Sequence, residues 1–136
     1  MVTQRNVTRN QSTADYERGC IFLFDNRFKE ITLPISASTD LKTGMLVCQK
    51  NDGTFELATD SNLENIVGVL KTGGDFTATA DANVNICTKG TILQSGLILP
   101  TGVTLATVAG NKTVEYLLES LGFHLEDAVE HTEFEN

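Results

Sequence analysis

Short apolar runs separated by glycine constrain the fold of this 136-residue chain more than any other feature. From Cys20 onward, apolar runs of four to seven residues alternate with turn signals. Runs of this length are typical of strands, and glycine supplies the backbone angles that tight turns need. The glycines lie at Gly44, Gly53, Gly68, Gly73, Gly74, Gly90, Gly96, Gly102 and Gly110. The pattern predicts a small domain made mainly of β-strands.

The first eighteen residues differ in character from the rest of the chain. Residues 1–18 are polar, with Val2, Val7, Ala14 and Tyr16 as scattered apolar side chains. A segment with so few apolar groups cannot bury a core of its own. We therefore predict a flexible N-terminal arm over residues 1–18 and a single β-rich domain over residues 19–136, since the length fits one domain.

Charge and hydropathy argue against two classes of partner. The formal net charge is −8, and no lysine or arginine follows Lys112. An acidic body repels phosphate, so nucleic-acid binding is disfavoured. No apolar run approaches the ~20 residues that cross a bilayer, and the N-terminus lacks the apolar core of a secretory signal. We expect synthesis in a cytoplasm and no membrane partner.

Turn signals divide the β region into predicted strands. Residues 20–24 and 28–33 form the first predicted hairpin around Asp25, Asn26 and Arg27, which tolerate turn geometry. Asp52-Gly53 predicts a second hairpin between residues 45–49 and 54–58. Further strands are predicted over residues 66–70, 76–80, 83–88, 91–93, 97–99 and 103–108. Gly68 inside its strand indicates a bulge or a close backbone approach.

The apolar period changes from two to 3.6 near the C-terminus. Val114, Leu117, Leu118 and Leu121 follow the spacing i, i+3, i+4, i+7, which predicts a helix over about residues 112–121. Asn111 or Thr113 would cap its start, Gly122 would end it in the left-handed conformation, and Phe123 would contact Leu118. A further helical turn is predicted within residues 125–130. The predicted fold is therefore a small antiparallel β-barrel or sandwich with an extended N-terminal arm and one C-terminal α-helix.

The cysteines and the clustered carboxylates could in principle form a catalytic or metal site, but their pattern favours structural roles. Cys20, Cys48 and Cys87 are an odd number without a C-x-x-C pair, which favours small buried side chains over a redox or zinc site. The carboxylates near the second hairpin are interpreted as turn and surface groups. They are Asp52, Glu56, Asp60 and Glu64.

Two other patterns resemble binding motifs only loosely. His124, Asp127 and His131 could share a helical face and hold a metal, but the seven-residue spacing favours a solvated acidic face. The stretches at residues 71–74 and 88–91 lack the spacing of phosphate loops and are interpreted as β-turns. No catalytic constellation emerges, so we expect no enzyme, no metal and no cofactor.

The stretch from residue 43 to 90 resembles the body of tailed-phage head decoration proteins, the lambda-like group and its distant relatives. The similar features are a strand after Gly44, the turn Asp52-Gly53-Thr54, the strand at residues 66–70, the strands within residues 76–87 and Lys89-Gly90-Thr91. These short motifs span about a third of the chain. The resemblance implies a β-rich body, trimers at the local threefold positions of a capsid, and an N-terminal arm that orders only on the shell.

The functional expectation follows from that resemblance and from the arm. We expect a virion structural protein that binds the capsid exterior, is made in the bacterial cytoplasm, and has the major capsid protein and itself, as a homotrimer, for partners. The expected capsid contacts on the arm are Val2, Arg5, Val7, Arg9 and Tyr16. The expected oligomer interface is the apolar stripe of Leu117, Leu118, Leu121 and Phe123, which could alternatively pack on the body of its own subunit.

Three alternatives stay open at this point. The C-terminal helix could mark the capsid-bound base of a head fibre or an auxiliary capsid protein of another phage group. A small β binding module outside capsids, such as an adhesin or a glycan-binding unit, would be expected to expose aromatic side chains. A small hydrolase or metal-dependent enzyme would need polar groups that converge in a pocket.

Overall fold

A computed structural model of the protein describes residues 21–127. In chain order its strands are β1 Phe22–Leu33, β2 Thr39–Leu41, β3 Leu46–Gln49, β4 Phe55–Leu57, β5 Ile66–Lys71, β6 Phe76–Ala78, β7 Ala82–Leu93, β8 Val108–Ala109, β9 Lys112–Thr113 and β10 Phe123–Glu126. One α-helix, α1, spans Val114–Leu121. The predicted mainly β fold with an antiparallel sheet and one C-terminal helix is confirmed, and the predicted arm lies outside the described residues.

The long strand β7 organises the main sheet. The strand order is β1-β7-β5-β3-β4, and all these neighbours are antiparallel. β10 adds to the second half of β7 in parallel, beyond the point where β5 ends. The sheet also curls, because Lys29 Nζ on β1 lies 5.6 Å from the centre of the Phe55 ring on β4. Two smaller pairs, β2 with β6 and β8 with β9, complete the described strands.

Each face of the main sheet buries its own apolar core, because side chains alternate along a strand. On β3, Leu46 and Cys48 face the first core, while Val47 between them faces the second. The first core lies under α1 and is made of Ile21, Leu46, Cys48, Leu63, Ile66, Val69, Cys87, Ile92, Val103, Val114, Leu118 and Phe123. The second core is made of Ile31, Leu33, Leu41, Val47, Leu70, Ala78, Val84 and Ile86.

The helix forms where the apolar period predicts it, with both expected caps. Thr113 accepts a hydrogen bond from the Tyr116 N–H at 3.1 Å and so pairs an amide that has no intrahelical partner. Gly122 ends the helix with φ of 107°. Residues 112–113, which the sequence placed in the helix, form β9 instead.

The first predicted hairpin is wrong. β1 runs unbroken through Asp25 and Asn26 and pairs with β7 from end to end, with register shifts between Phe22 and Phe28. Asp25 does adopt a left-handed φ of 53°, so the turn-prone residues produce a bulge within one strand. Gly90 lies opposite with φ of 135°, and a Cβ there would overlap Asn26. The two irregularities fit together, so neither strand turns back.

The second predicted hairpin is confirmed. β3 and β4 pair around a turn in which the Gly53 N–H donates to the Lys50 carbonyl at 2.9 Å. Gly68 shows both predicted features, since a register shift separates Val47 from Cys48 opposite it and an added Cβ would lie 2.7 Å from the Cys87 carbonyl oxygen.

Several C-terminal predictions are wrong for one shared reason. Residues 88–91 lie inside β7, residues 97–99 form only an isolated bridge from Ile98 to Met45, and residues 103–107 are turns and coil. Residues 125 and 126 belong to β10, although a helical turn was predicted within residues 125–130. In each case the local sequence was compatible both with the predicted structure and with the observed one. Pairing with β7 or packing under α1 stabilises the observed structure.

Candidate binding surface

The described chain enters and leaves the main sheet at one end of β7. The Leu93 N–H donates to the Ile21 carbonyl at 2.8 Å on one side, and Leu93 pairs with Glu126 on the other side. Neighbouring strands lie about 4.8 Å apart. Residues 1–20 and 128–136 therefore join the body at two points separated by little more than two strand spacings.

Exposed phenylalanines follow this entry point along β1. Phe24 is 63% exposed and Phe28 is 45% exposed. The Phe28 ring meets the Phe22 ring edge to face, with centroids 5.2 Å apart, and Lys71 Nζ lies 5.2 Å from the Phe28 centroid. An aromatic ring exposed to this extent gains free energy when a partner covers it. We call Phe22, Phe24, Phe28 and the N-terminal half of β1 the aromatic edge.

The backbone of the aromatic edge belongs to an edge strand. β1 hydrogen-bonds to β7 alone among the described strands, and it stands at the end of the strand order. The strand is held in place by its bulge, where Asn26 Nδ2 donates to the Thr91 carbonyl at 3.3 Å. An edge strand can accept a strand from another chain through main-chain hydrogen bonds.

The predicted capsid contacts Val2, Arg5, Val7, Arg9 and Tyr16 lie outside the described residues. The aromatic edge starts two residues after residue 20. The N-terminal segment and the aromatic edge are therefore continuous in sequence.

The predicted oligomer interface divides into two parts. Leu118 is fully buried and Phe123 is 3% exposed, and both belong to the first core. These two side chains cannot contact a partner without opening the subunit, so their assignment to an oligomer interface is corrected. Leu117 is half-buried and Leu121 is 36% exposed, which leaves them at the surface of α1. The structure thus shows the alternative in which the helix packs on its own body.

The two described cysteines are buried apolar groups, as predicted. Cys48 is fully buried and its thiol donates to the Asn62 carbonyl at 3.3 Å. Burial, with a smaller contribution from the Glu56 charge, raises the pKa of the Cys48 thiol to about 12. Burial also raises the pKa of the Cys87 thiol. Both thiols stay protonated at neutral pH and are poor nucleophiles. Cys20 lies outside the described residues.

Of the carboxylates near the second hairpin, one stabilises the turn and the others lie at or near the surface. The Thr54 N–H donates to Asp52 Oδ1 at 2.9 Å, and this bond lowers the pKa of the Asp52 carboxyl. Glu56 lies 3.9 Å from Lys50 Nζ. Asp60 and Glu64 are exposed. The described geometry does not pair them as an acid and a base.

The proposed helical metal face does not form. His124 lies on β10, where its Nε2 is 3.1 Å from Glu126 Oε2, and His131 lies outside the described residues. Within residues 21–127, no three histidine, cysteine or acidic side chains are grouped to hold a metal ion.

Neither candidate phosphate loop opens a helix. Residues 71–74 lead from the end of β5 into a bend before β6, and residues 88–91 lie within β7. The interpretation of the second stretch as a β-turn is therefore wrong, although no phosphate loop replaces it. An amphipathic helix such as α1 is too short to cross a bilayer, and no other helix in the described part of the chain could do so.

Comparisons with known proteins add no family. No protein-family model matches this chain, and no curated protein matches it significantly.

Sequence reasoning missed the aromatic edge. The prediction of a turn at residues 25–27 separated Phe24 from Phe28 into two short strands, which hid their position on one edge strand. The available signal was the density of phenylalanine itself, with Phe22, Phe24 and Phe28 within seven residues. A third of the aromatic side chains in such a short stretch favours a surface that a partner covers.

Proposed function

We propose that this protein is a virion structural protein that binds the outside of a phage capsid, decorates or cements it, and acts as a trimer at local threefold positions. The observation that supports this proposal most is the placement of the aromatic edge. An edge strand with exposed phenylalanines begins where the N-terminal segment joins the body, so the segment and the edge can contact one continuous surface.

The energetics of such docking are favourable without a pocket or a reactive group. A shell strand that pairs with the first half of β1 gains main-chain hydrogen bonds and covers Phe24 and Phe28. Covering a large apolar side chain completely contributes roughly 1.5–3 kcal/mol. Because the protein binds the assembled shell and not the separated subunits, its binding stabilises the shell by mass action.

Self-association would use surfaces outside the core. Leu121 and Tyr116, which is 50% exposed, remain accessible on α1. On this proposal the native mass in solution is three times the 14.8-kDa chain mass. A capsid-bound base of a head fibre would share this geometry, with a further protein attached on the side away from the shell.

Co-sedimentation with expanded, decoration-free capsids tests the proposal. The capsids are assembled from the major capsid protein encoded in the same genome, and the full-length chain is titrated against them. We expect saturable binding that Phe24→Ser weakens about tenfold, because the exposed ring is a binding contact with little role in the core.

Phe76→Ser is the matched control. Phe76 is 43% exposed on β6, in a different sheet, so its replacement removes a similar ring without touching the aromatic edge. Absence of binding by the unmodified chain would refute the capsid proposal. Equal weakening by the two variants would refute the role of the aromatic edge.

A further inference from the structure

Two cationic side chains, Arg27 and Lys89, border one polar groove, although the chain as a whole is acidic. The groove has a volume of about 580 Å³. It runs across β1, β7 and the start of β10. Its lining is formed by Asp25, Asn26, Arg27, Lys89, Gly90, Thr91, Gly122 and His124.

The two cationic residues are partners across the sheet. Arg27 on β1 pairs with Lys89 on β7 in the antiparallel register. Like charges at directly opposed positions destabilise a sheet. Of the ion pairs formed within residues 21–127, none involves either side chain. The charge repulsion between Arg27 and Lys89 is therefore not compensated by any ion pair within the described residues.

The carboxylates around the groove do not neutralise it. Asp25 lines the groove, but it lies beyond ion-pair distance of both Arg27 and Lys89. Glu126 lies against His124 at 3.1 Å. Within residues 21–127, no ion pair therefore compensates Arg27 or Lys89.

Hydrogen bonds fix the floor and one wall of the groove. Gly90 lies between Lys89 and Thr91 in close contact with Asn26, which fills the space that a Cβ would take. The Gly90 amide donates to the Gly122 carbonyl at 3.3 Å, which fixes the floor where β7 meets the end of α1. Asn26 Nδ2 bonds to the Thr91 carbonyl and Cys87 Sγ, so the opposite wall is fixed too.

We propose that this groove binds an oxyanion, a phosphate or carboxylate group, between the Arg27 guanidinium and the Lys89 ammonium. Guanidinium and ammonium groups form charge-assisted hydrogen bonds with such oxygens. An anion bound between Arg27 and Lys89 attracts both side chains and so offsets the repulsion between them. The groove shares Asp25, Asn26 and Arg27 with the N-terminal half of β1. A phosphate titration of the isolated chain nevertheless tests it separately from the capsid proposal, because no capsid is present.

Two sources can supply the oxyanion. One is free phosphate. The other is a carboxylate of the chain itself, because residues 128–136 contain Glu130, Glu133 and Glu135 with no lysine or arginine.

Amide NMR of the full chain, titrated with inorganic phosphate against chloride at constant ionic strength, tests the site. We expect saturable shifts at the amides of Lys89, Gly90 and Thr91. Lys89→Glu should weaken the binding at least about fivefold, because it removes one charge-assisted contact and repels the anion. Lys50→Gln is the control, since Lys50 pairs with Glu56 beside β4, and it should leave the titration unchanged.

The same titration in a Glu130→Gln/Glu133→Gln/Glu135→Gln variant distinguishes the sources. Equal binding in both chains identifies free phosphate as the ligand, while binding only in the variant indicates that the chain's own carboxylates occupy the groove. The proposal would be contradicted if, in both chains, the amide shifts rose linearly with phosphate without saturating, or were spread over the whole protein.

Thermal unfolding in chloride buffer gives a second readout. Lys89→Glu should raise the melting temperature by about 2 °C, because it converts the opposed cations to an ion pair. A lower melting temperature would contradict the repulsion on which the site depends.

Discussion

The thiol of Cys48 shows how burial at one residue determines reactivity. It lies in the first core between β3 and the 3-10 turn at Leu63–Asn65, and its pKa is raised from 9.0 to about 12. In the unfolded chain the thiol loses its proton at a lower pH than in the folded chain. Its contribution to stability is complete below pH 9 and is lost as the pH rises toward 12.

We expect the free energy of unfolding to fall between pH 9 and 11 more steeply in the unmodified chain than in Cys48→Ala. One proton limits the difference in slope to about 1.4 kcal/mol per pH unit. Urea unfolding of both proteins at several pH values measures it. The variant is less stable overall because it leaves a cavity, so the slopes are compared and not the absolute values. Parallel pH profiles would show that the Cys48 thiol is not desolvated in the native state.

Gly90 is the residue on which the β1 bulge depends most. It combines φ of 135° with the close approach of Asn26, whose Cα would lie 2.7 Å from an added Cβ. We expect Gly90→Ala to lower the free energy of unfolding by about 3 kcal/mol, since backbone strain and overlap act together.

Gly53→Ala is the matched control for that substitution. Gly53 also has a positive φ, 92°, but an added Cβ would meet nothing within 4 Å. It should cost about 1 kcal/mol through strain alone. Chemical denaturation compares the two variants, and equal costs would contradict the described contact between Gly90 and Asn26.

At the level of elements, α1 tests whether a short helix depends on its first hydrogen bond. The helix has eight residues, so its intrinsic stability is small and its cap matters. We expect Thr113→Ala to reduce the free energy of unfolding by about 1 kcal/mol, whereas Thr113→Ser keeps the hydroxyl acceptor and should cost little. Thermal unfolding of both variants measures this, and an equal loss in both would mean that the Thr113 methyl group matters more than its hydroxyl.

Elements defined by a strong local pattern could be predicted, and elements defined by a distant partner could not. The hairpin of β3 and β4 and the helix α1 each follow from their own residues. Asp25 and Asn26 are equally suited to a turn or to a bulge, and only the close fit of Asn26 against Gly90 on β7 decides between them. Likewise, β10 forms because residues 123–126 pair with the second half of β7, which nothing in their own sequence indicates.

The candidate sites divide in the same way. Burial of Cys48 and the surface role of Asp52 were predictable, because each depends on residue type and near neighbours. The opposed pair of Arg27 and Lys89 joins residues 62 positions apart and needs the register of β1 on β7 to be known. The aromatic edge was hidden by the single wrong turn prediction at residues 25–27.

At the level of the whole molecule, the described body has two apolar cores, and Ile21 and Glu126, near its two ends, both lie beside Leu93. That arrangement suits a protein that attaches by one end and presents the remainder outward. Val114 and Leu118 of α1 are buried in the first core, so the helix stabilises the body. A trimer would then rely on exposed side chains such as Tyr116 and Leu121.

A cryo-electron microscopy reconstruction of expanded capsids saturated with the full-length chain tests the docking proposal most directly. We expect three copies around each local threefold axis, with the end of the sheet that contains Ile21, Leu93 and Glu126 facing the shell. Copies that face the shell with β2 and β6, or capsids without bound protein, would contradict it.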